Sequence, residues 1–415
     1  MKSWTFLGLL TLLAACGDPV PAGDGPTRPS DGKERDSGRR MPPADAAPAS
    51  PTMDAATPED GAPTADAEPA PAPDSAPPED ATPPVDAAPD ADPDAAPEPE
   101  PELLRFLVLG DVGKGNAGQL QVAEAAAEAC EEMGGCAFAL LLGDNIYDAG
   151  AADADDPQWE SKFETPYAGL DIPFYATLGN HDYGGPSVLQ ELVDGLGGLG
   201  IDRTRGMAQV AYAETQDKFR CPDIFYRFQA GPVELVSLNT ATLFWKDLEF
   251  VETLAGFEPD NEAQLDALDE WAEAPLAPWR IAFGHHPYLS NGRHGDAGAY
   301  DGVFIDGLIG SGSALKDFFE EHVVGTFDVF LAGHDHNQQD LGEVDGTHLV
   351  VSGAGASVRE LADRNRNPTF YQSEELGFTV IEADERRMRF IFYEVPPDDG
   401  AARPWVEVHR RQILR

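Results

Sequence analysis

Five short apolar runs each stop at a glycine followed by a residue able to bind a metal. Leu103–Leu109, Phe138–Leu142, Ile172–Leu178, Arg280–Phe283 and Asp328–Ala332 read as buried strands. They end at Gly110-Asp111, Gly143-Asp144, Gly179-Asn180, Gly284-His285 and Gly333-His334. In open α/β sheets ligands bind beyond the carboxyl ends of strands. Glycine at such an end permits a tight turn and the close approach of a ligand. The pattern therefore predicts an α/β sheet protein with several donors gathered along one edge.

The remaining runs fit the same plan. Ala117–Glu132 is rich in Ala and Glu and predicts a helix, and Asn261–Trp271 predicts an amphipathic one. Phe225–Gln229 and Val233–Leu238 predict a hairpin around Gly231–Pro232. Thr347–Ser352, Phe378–Glu382 and Met388–Tyr393 predict later strands, the last two joined by a turn at Ala383–Arg386. No internal repeat is visible. Strands alternating with helices, followed by a strand-rich end, place the chain in the α/β class.

Composition limits this architecture to residues 103–415. Residues 17–102 hold 22 of the 36 prolines and no aromatic residue, with 21 acidic and 5 basic side chains, a net of −16. Such a stretch cannot bury a core and predicts a disordered acidic linker, stiffened by proline and extended by like charge. Residues 103–415 hold 35 of the 37 aromatics, with 53 acidic and 22 basic side chains, a net of −31. The whole-chain formal charge of −46 excludes nonspecific nucleic-acid binding and charge-driven docking on anionic lipids.

The candidate metal donors, in chain order, are Asp111, Asp144, Tyr147, Asn180, His285, His334 and His336. Imidazole suits zinc, iron and similar ions, whereas carboxylate and phenolate oxygens suit harder ones. Six of the nine histidines lie in these segments: His181, His285, His286, His294, His334 and His336. The other three, His322, His348 and His409, read as ordinary core or surface residues. Gly110–Gly118 holds four glycines and Lys114 but lacks the spacing of a nucleotide-binding loop, so it reads as a metal-bearing strand end. Gly184–Gly200 is glycine-rich and reads as a surface insertion, with a lid as the alternative.

Gly110-Asp111-Val112-Gly113, Gly143-Asp144-Asn145-Ile146-Tyr147, Gly179-Asn180-His181-Asp182, Gly284-His285-His286-Pro287 and Gly333-His334-Asp335-His336 resemble the metallophosphoesterases. More narrowly they resemble the small, tartrate-resistant type of purple acid phosphatase, over nearly all of residues 103–395. Gln209–Tyr212 and Phe225–Phe228 look like that subtype too. Many metallophosphoesterases carry Asp-x-His in the first motif. Gly113 stands in place of that histidine here, and Tyr147 follows Asp144 by three residues, as in purple phosphatases. Ala282 and Val112 depart from residues frequent in the family, the second with a possible effect on the pocket wall.

The resemblance implies a four-layer α/β/β/α sandwich with two metal ions. One, Fe(III), would take Asp111, Tyr147 and His336; the other, a divalent Fe, Zn or Mn, would take Asn180, His285 and His334; Asp144 would bridge them. Two aspartates and a tyrosinate give −3, the ions +5, and a bridging hydroxide leaves the cluster near +1, so a phosphate dianion can bind despite the acidic domain. It further implies hydrolysis of phosphate monoesters by that hydroxide, in the manner of an acid phosphatase. His181 would meet the phosphate or protonate the leaving oxygen, and His294, in Gly292-Arg293-His294-Gly295, would face the substrate. Asp182 and Asp335 would orient histidines or loops. His286 is left open between that task and plain packing. A phosphodiesterase or nucleotide phosphatase on the same site is the enzymatic alternative. A surface-binding lipoprotein without activity is the other, and the complete donor set speaks against it.

The chain start reads as an export address. Met1-Lys2 and a short apolar run, Thr5–Leu13, have the shape of a secretory signal. Leu13-Ala14-Ala15-Cys16-Gly17 resembles the bacterial lipoprotein signal, which implies cleavage before Cys16, a lipid on its thiol and a membrane anchor. Ordinary cleavage with an unmodified thiol is the alternative. Gly17 is not the aspartate often linked to inner-membrane retention, which favours the outer membrane or cell surface, although Asp18 stands nearby. Cys130 and Cys136 flank Gly134-Gly135 and are either a local disulfide of an exported protein or two reduced thiols. Cys221 is left over.

Overall fold

Side chains alternate across a strand, so a strand covered on both faces must be apolar on both. β1 (Leu104–Leu109) meets this condition: Phe106 and Val108 face one core, Leu107 and Leu109 another. β2 (Ala139–Leu142) divides in the same way, with Leu140 and Leu142 on one side and Ala139 and Leu141 on the other. The computed structural model describes residues 103–184, 202–300, 312–397 and 404–415. The signal, the linker and Cys16 lie outside the described residues, as do all but Gly184 and Asp202 of the glycine-rich stretch and its flank.

Among the described residues two seven-stranded mixed sheets form. In the first, β1, β2, β3 (Phe174–Thr177) and β4 (Phe219–Arg220) are parallel. β12 (Gly377–Ala383), β13 (Arg387–Glu394) and β14 (Val406–Leu414) extend it antiparallel beyond β1. In the second, β6 (Val233–Ser237), β7 (Trp279–Phe283), β8 (Val329–Ala332) and β10 (Thr347–Ser352) are parallel. β5 (Tyr226–Ala230), β9 (Gln338–Val344) and β11 (Tyr371–Ser373) complete it antiparallel.

A core of Phe106, Val108, Leu140 and Leu142 against Leu235, Ile281, Phe283, Val329 and Leu331 joins the sheets. The outer face of the first sheet carries α1 (Ala117–Glu132), α2 (Arg203–Ala213) and part of α4 (Glu249–Ala255). The outer face of the second carries α3 (Thr240–Leu243), α5 (Glu258–Glu273) and α6 (Ser313–Phe318). The order helix, sheet, sheet, helix is the four-layer sandwich expected above.

α1 starts where Asn116 caps it, its side chain accepting from the Gln119 N–H at 2.9 Å. Its small residues Ala123, Ala125, Ala126 and Ala129 let the helix lie close on the sheet. It ends at the Gly134-Gly135 turn, and Cys130 and Cys136 close that turn as a disulfide with a Cα–Cα distance of 5.4 Å. A six-residue separation closes a small loop, so the crosslink stabilises modestly. Replacing both cysteines by serine should lower the unfolding free energy by about 2 kcal/mol, read as a shifted urea midpoint. A change below about 0.5 kcal/mol would mean that the turn forms equally well without the bond. Cys221 is buried and free.

The polar strands β9 and β14 escaped the periodicity reading. Buried Asp340 of β9 meets His348 Nε2 of β10 at 3.0 Å and His409 Nε2 of β14 at 2.8 Å. A polar strand is tolerated inside because its groups find partners on neighbouring strands. His348 and His409 are structural, as the sequence suggested.

Candidate metal centre

The five glycine-led strand ends converge because their strands are parallel neighbours in two facing sheets. Asp111 N–H donates to Gly143 O at 3.2 Å within the first sheet, and Gly284 N–H to Leu331 O at 3.0 Å within the second. Across the gap, His334 N–H donates to Asp111 Oδ2 at 2.8 Å and His285 Nδ1 donates to Leu142 O at 2.9 Å. Asp111, Asp144 and His334 all sit at positive φ (58°, 53° and 68°), a region costly for residues with a Cβ. Close packing holds them there. A Cβ on Gly179 would lie 2.2 Å from Asp144 Oδ1, and one on Gly333 2.7 Å from Asp111 Oδ2.

The donors fall into two groups. Tyr147 Oη lies 2.9 Å from Asp111 Oδ1 and 3.1 Å from His336 Nε2, and His336 Nε2 is 3.4 Å from Asp111 Oδ1. His285 Nε2 lies 3.0 Å from Asn180 Oδ1, 3.1 Å from His334 Nδ1 and 3.4 Å from Asp144 Oδ2. Donor atoms of Asp111, Asp144 and His285 lie within 4.8 Å of one another, so Asp144 stands between the groups. Ligands about 2.1 Å from a shared ion stand about 3 Å apart at right angles, as these do. All seven sequence candidates are therefore brought together.

The charge balance asks for cations. Burial and the neighbouring Asp111 and Asp144 push the Tyr147 hydroxyl well above its ordinary pKa, so a phenolate here needs a positive ion. Burial opposes charge on His285, but Asp144 outweighs it and raises the imidazole to about 9. Burial and the surrounding histidines push His334 far down. The ring tautomers suit ligation. His285 spends Nδ1 on Leu142 O and His336 places Nδ1 2.9 Å from Ser357 Oγ, which leaves each Nε2 for the cluster. The residues present fit a pair of ions.

The absent first-motif histidine has a steric cause. A Cβ on Gly113 would lie 2.0 Å from Asn145 O, and Gly113 O accepts from Tyr147 N–H at 2.8 Å. The bare glycine lets the 144–147 loop settle against it, and that loop delivers the Tyr147 oxygen instead. Val112 is buried in the core beneath α1, so it lines no open pocket wall.

Buried Asp182 ties the loops together, accepting from the N–H groups of Gly179, Asn145 and Ile146 at 2.8, 3.1 and 3.0 Å. Asp335 does the same for the His294 loop, accepting from His294 N–H at 2.9 Å and Ser290 Oγ at 2.5 Å. The His181 ring lies 4.3 Å from the Tyr147 ring, with Nδ1 on Asp148 O at 2.7 Å and Nε2 turned toward Asp144. The His294 ring lies 4.3 Å from the His334 ring. His286 is buried behind the cluster, with Nδ1 beside Thr240 Oγ1 at 3.1 Å and its ring 4.4 Å from that of His334. Sequence reading missed Thr240, Ser357 and Leu142 O. Hydroxyls and carbonyls are too common in any chain to signal their role.

A two-sheet sandwich with paired donor groups at its strand ends defines a metallophosphoesterase. A sequence model of the calcineurin-like phosphoesterases matches residues 104–338, and the chain belongs to that family, hydrolases of phosphoric esters that work with a dinuclear metal centre. It is 26% identical over 316 residues to the tartrate-resistant acid phosphatase type 5 of Rattus norvegicus, covering 70% of this chain and 86% of the relative. To purple acid phosphatase 3 of Arabidopsis thaliana it is 27% identical over 305 residues, covering 70% and 74%. Among solved structures, the GAP50 anchor of the Plasmodium inner membrane complex superposes with a TM-score of 0.53 at 19% identity, covering 74% and 89%, which speaks to fold alone.

Proposed function

We propose that this protein is an exported, lipid-anchored phosphatase that hydrolyses phosphate monoesters. The observation that carries the reading is the complete pair of donor groups around Asp144, flanked by His181 and His294. The similarity to relatives named acid phosphatases supports it. Asp111, Tyr147 and His336 would hold a ferric ion, because phenolate is a hard anionic donor. Asn180, His285 and His334 would hold divalent Fe, Zn or Mn, with Asp144 shared. Such a pair supplies an activated water and neutralises phosphoryl oxygens. His181, with Nδ1 committed to Asp148 O, offers Nε2 to the phosphate or the leaving oxygen. His294 stands beside the second donor group, its ring 4.3 Å from that of His334. Asp335 holds the His294 backbone, and Asp182 fastens Gly179 to the loop that carries Asp144.

Export and anchoring rest on Leu13–Gly17 and the following linker. No helix among the described residues is long and apolar enough to cross a membrane. Cys16→Ser should move the protein from the membrane fraction to the soluble one. Wild-type protein found in the soluble fraction would refute the lipid anchor.

The enzymatic test is phosphate release from p-nitrophenyl phosphate across acid to neutral pH, with iron, zinc and manganese counted in the same samples. Turnover with two ions per chain is expected. Turnover confined to bis-p-nitrophenyl phosphate would replace the monoesterase by a diesterase, and a folded, two-metal protein inactive on both would leave binding as its function.

A further inference from the structure

His181, beside the donor groups, has an anchored ring. Its Nδ1 donates to Asp148 O at 2.7 Å. Asp148 belongs to the turn that leaves Tyr147, and the carbonyls on either side of it are taken as well. Lys162 Nζ donates to Tyr147 O. Arg205 Nη1 donates to Ala149 O at 2.8 Å and to Gly150 O at 3.2 Å, and Gln158 Nε2 to Gly150 O at 3.3 Å. Asp148 is exposed and Ala149 half-buried, so water could serve these carbonyls. Their need for partners does not by itself call for two cationic side chains. With the peptide groups before and after it bound, the Asp148 carbonyl is held in place.

Arg205 lies in the first turn of α2, directly after the Asp202 cap. A cation there meets the positive end of the helix dipole, an unfavourable place unless other partners offset it. Arg203 has such a partner in Asp260 at 2.6 Å. Arg205 has Asp202 only at 3.5 Å, and its close contacts are the two carbonyls. The same helix start holds the segment of His181 itself. Asp202 N–H donates to Tyr183 O at 2.8 Å, and a Cβ on Gly206 would lie 2.3 Å from the Tyr183 ring were the residue not glycine. The turn and that segment also touch directly, since a Cβ on Gly150 would lie 2.5 Å from Asp182 O. One turn of helix therefore fixes both the histidine and the carbonyl that orients it.

We propose that Arg205 is a positioning residue for phosphate ester hydrolysis. By holding Ala149 O and Gly150 O it keeps the Asp148 carbonyl on Nδ1 of His181, and so keeps Nε2 aimed at the phosphate or the leaving oxygen. The inference rests on the phosphatase reading above. The hydrogen bonds and ion pair of Arg205 reach none of the seven metal donors, so its effect passes through His181.

The test is a double-mutant cycle in the full-length chain in detergent, with metals counted. Arg205→Met should lower kcat/KM on phenyl phosphate about tenfold with two ions retained, because a catalytic group misplaced by about an ångström loses that much or more. In the His181→Ala background the same substitution should change kcat/KM by less than about twofold. Arg205→Lys, which keeps one charged donor, should recover most of the loss. Arg205→Gln is carried alongside, so that the cycle closes if Arg205→Met does not fold. Proton NMR of the zinc-loaded chain reads the contact without turnover. The His181 Nδ1–H signal, identified by its loss in His181→Ala, should exchange with water at least about tenfold faster in Arg205→Met. Equal losses in both backgrounds, no loss in either, or an unchanged exchange rate would overturn the positioning role. Wild-type protein with two ions and no turnover would instead overturn the phosphatase reading, and the exchange rate would still decide whether Arg205 holds the ring.

Discussion

Asp144→Asn should lower kcat on phosphate esters by about 10³-fold or more and reduce the metal content below two ions per chain. Asp144 is the carboxylate between the two donor groups. Its Oδ2 lies 3.4 Å from His285 Nε2, and its Oδ1 accepts from His181 N–H at 2.9 Å. The substitution keeps the shape and removes one negative charge where two cations must lie side by side. Losing a single preorganised electrostatic contact in a water-poor site costs 10²- to 10³-fold, and here the shared ligand of both ions is altered. Phosphate release together with elemental analysis checks this. A variant that binds two ions and works within tenfold of wild type would remove Asp144 from the bridging position.

Asp182→Ala should lower the unfolding free energy of the metal-free protein by about 4 kcal/mol, because three buried N–H groups lose their acceptor at about 1–3 kcal/mol each. Those groups belong to Gly179, Asn145 and Ile146, on the two loops that carry Asn180, Asp144 and Tyr147. Urea unfolding after chelator treatment separates this term from metal binding. The same variant should bind metal more weakly, since both loops are released. A loss below about 1 kcal/mol would show that water takes over the three bonds.

The strands that carry donors were legible because each is mostly apolar up to its glycine, with a single arginine near the start of β1 and of β7, as a strand largely buried on both faces has to be. α1 and β10 were legible to the residue: Ala117–Glu132 and Thr347–Ser352 have uniform composition and clear stops. β9, with Gln338, Gln339 and Asp340 in its first three positions, carries no such signal. Its burial depends on His348, His409 and Tyr393, which come from strands elsewhere in the chain. The short helices α3 and α6 form under tertiary contacts, and four to six residues are too few to show a period.

The sequence by itself determined which side chains gather, since a glycine-led strand end has one place to go in a parallel sheet and donor chemistry is written in residue type. Composition also predicts that residues 17–102 bury no core, since they hold no aromatic residue and carry a net charge of −16. What only the tertiary structure decided was how the gathered groups face one another. The exclusion of a histidine at Gly113 follows from Asn145 O, 2.0 Å from where its Cβ would stand. The ring nitrogens free for ligation at His285 and His336 follow from Leu142 O and Ser357 Oγ. The bonds from Asn116 to Ala356 O and from Gly355 N–H to Gly110 O join segments more than two hundred residues apart. Such relations depend on distances of an ångström or less between distant parts of the chain, and pattern within a local window cannot encode them.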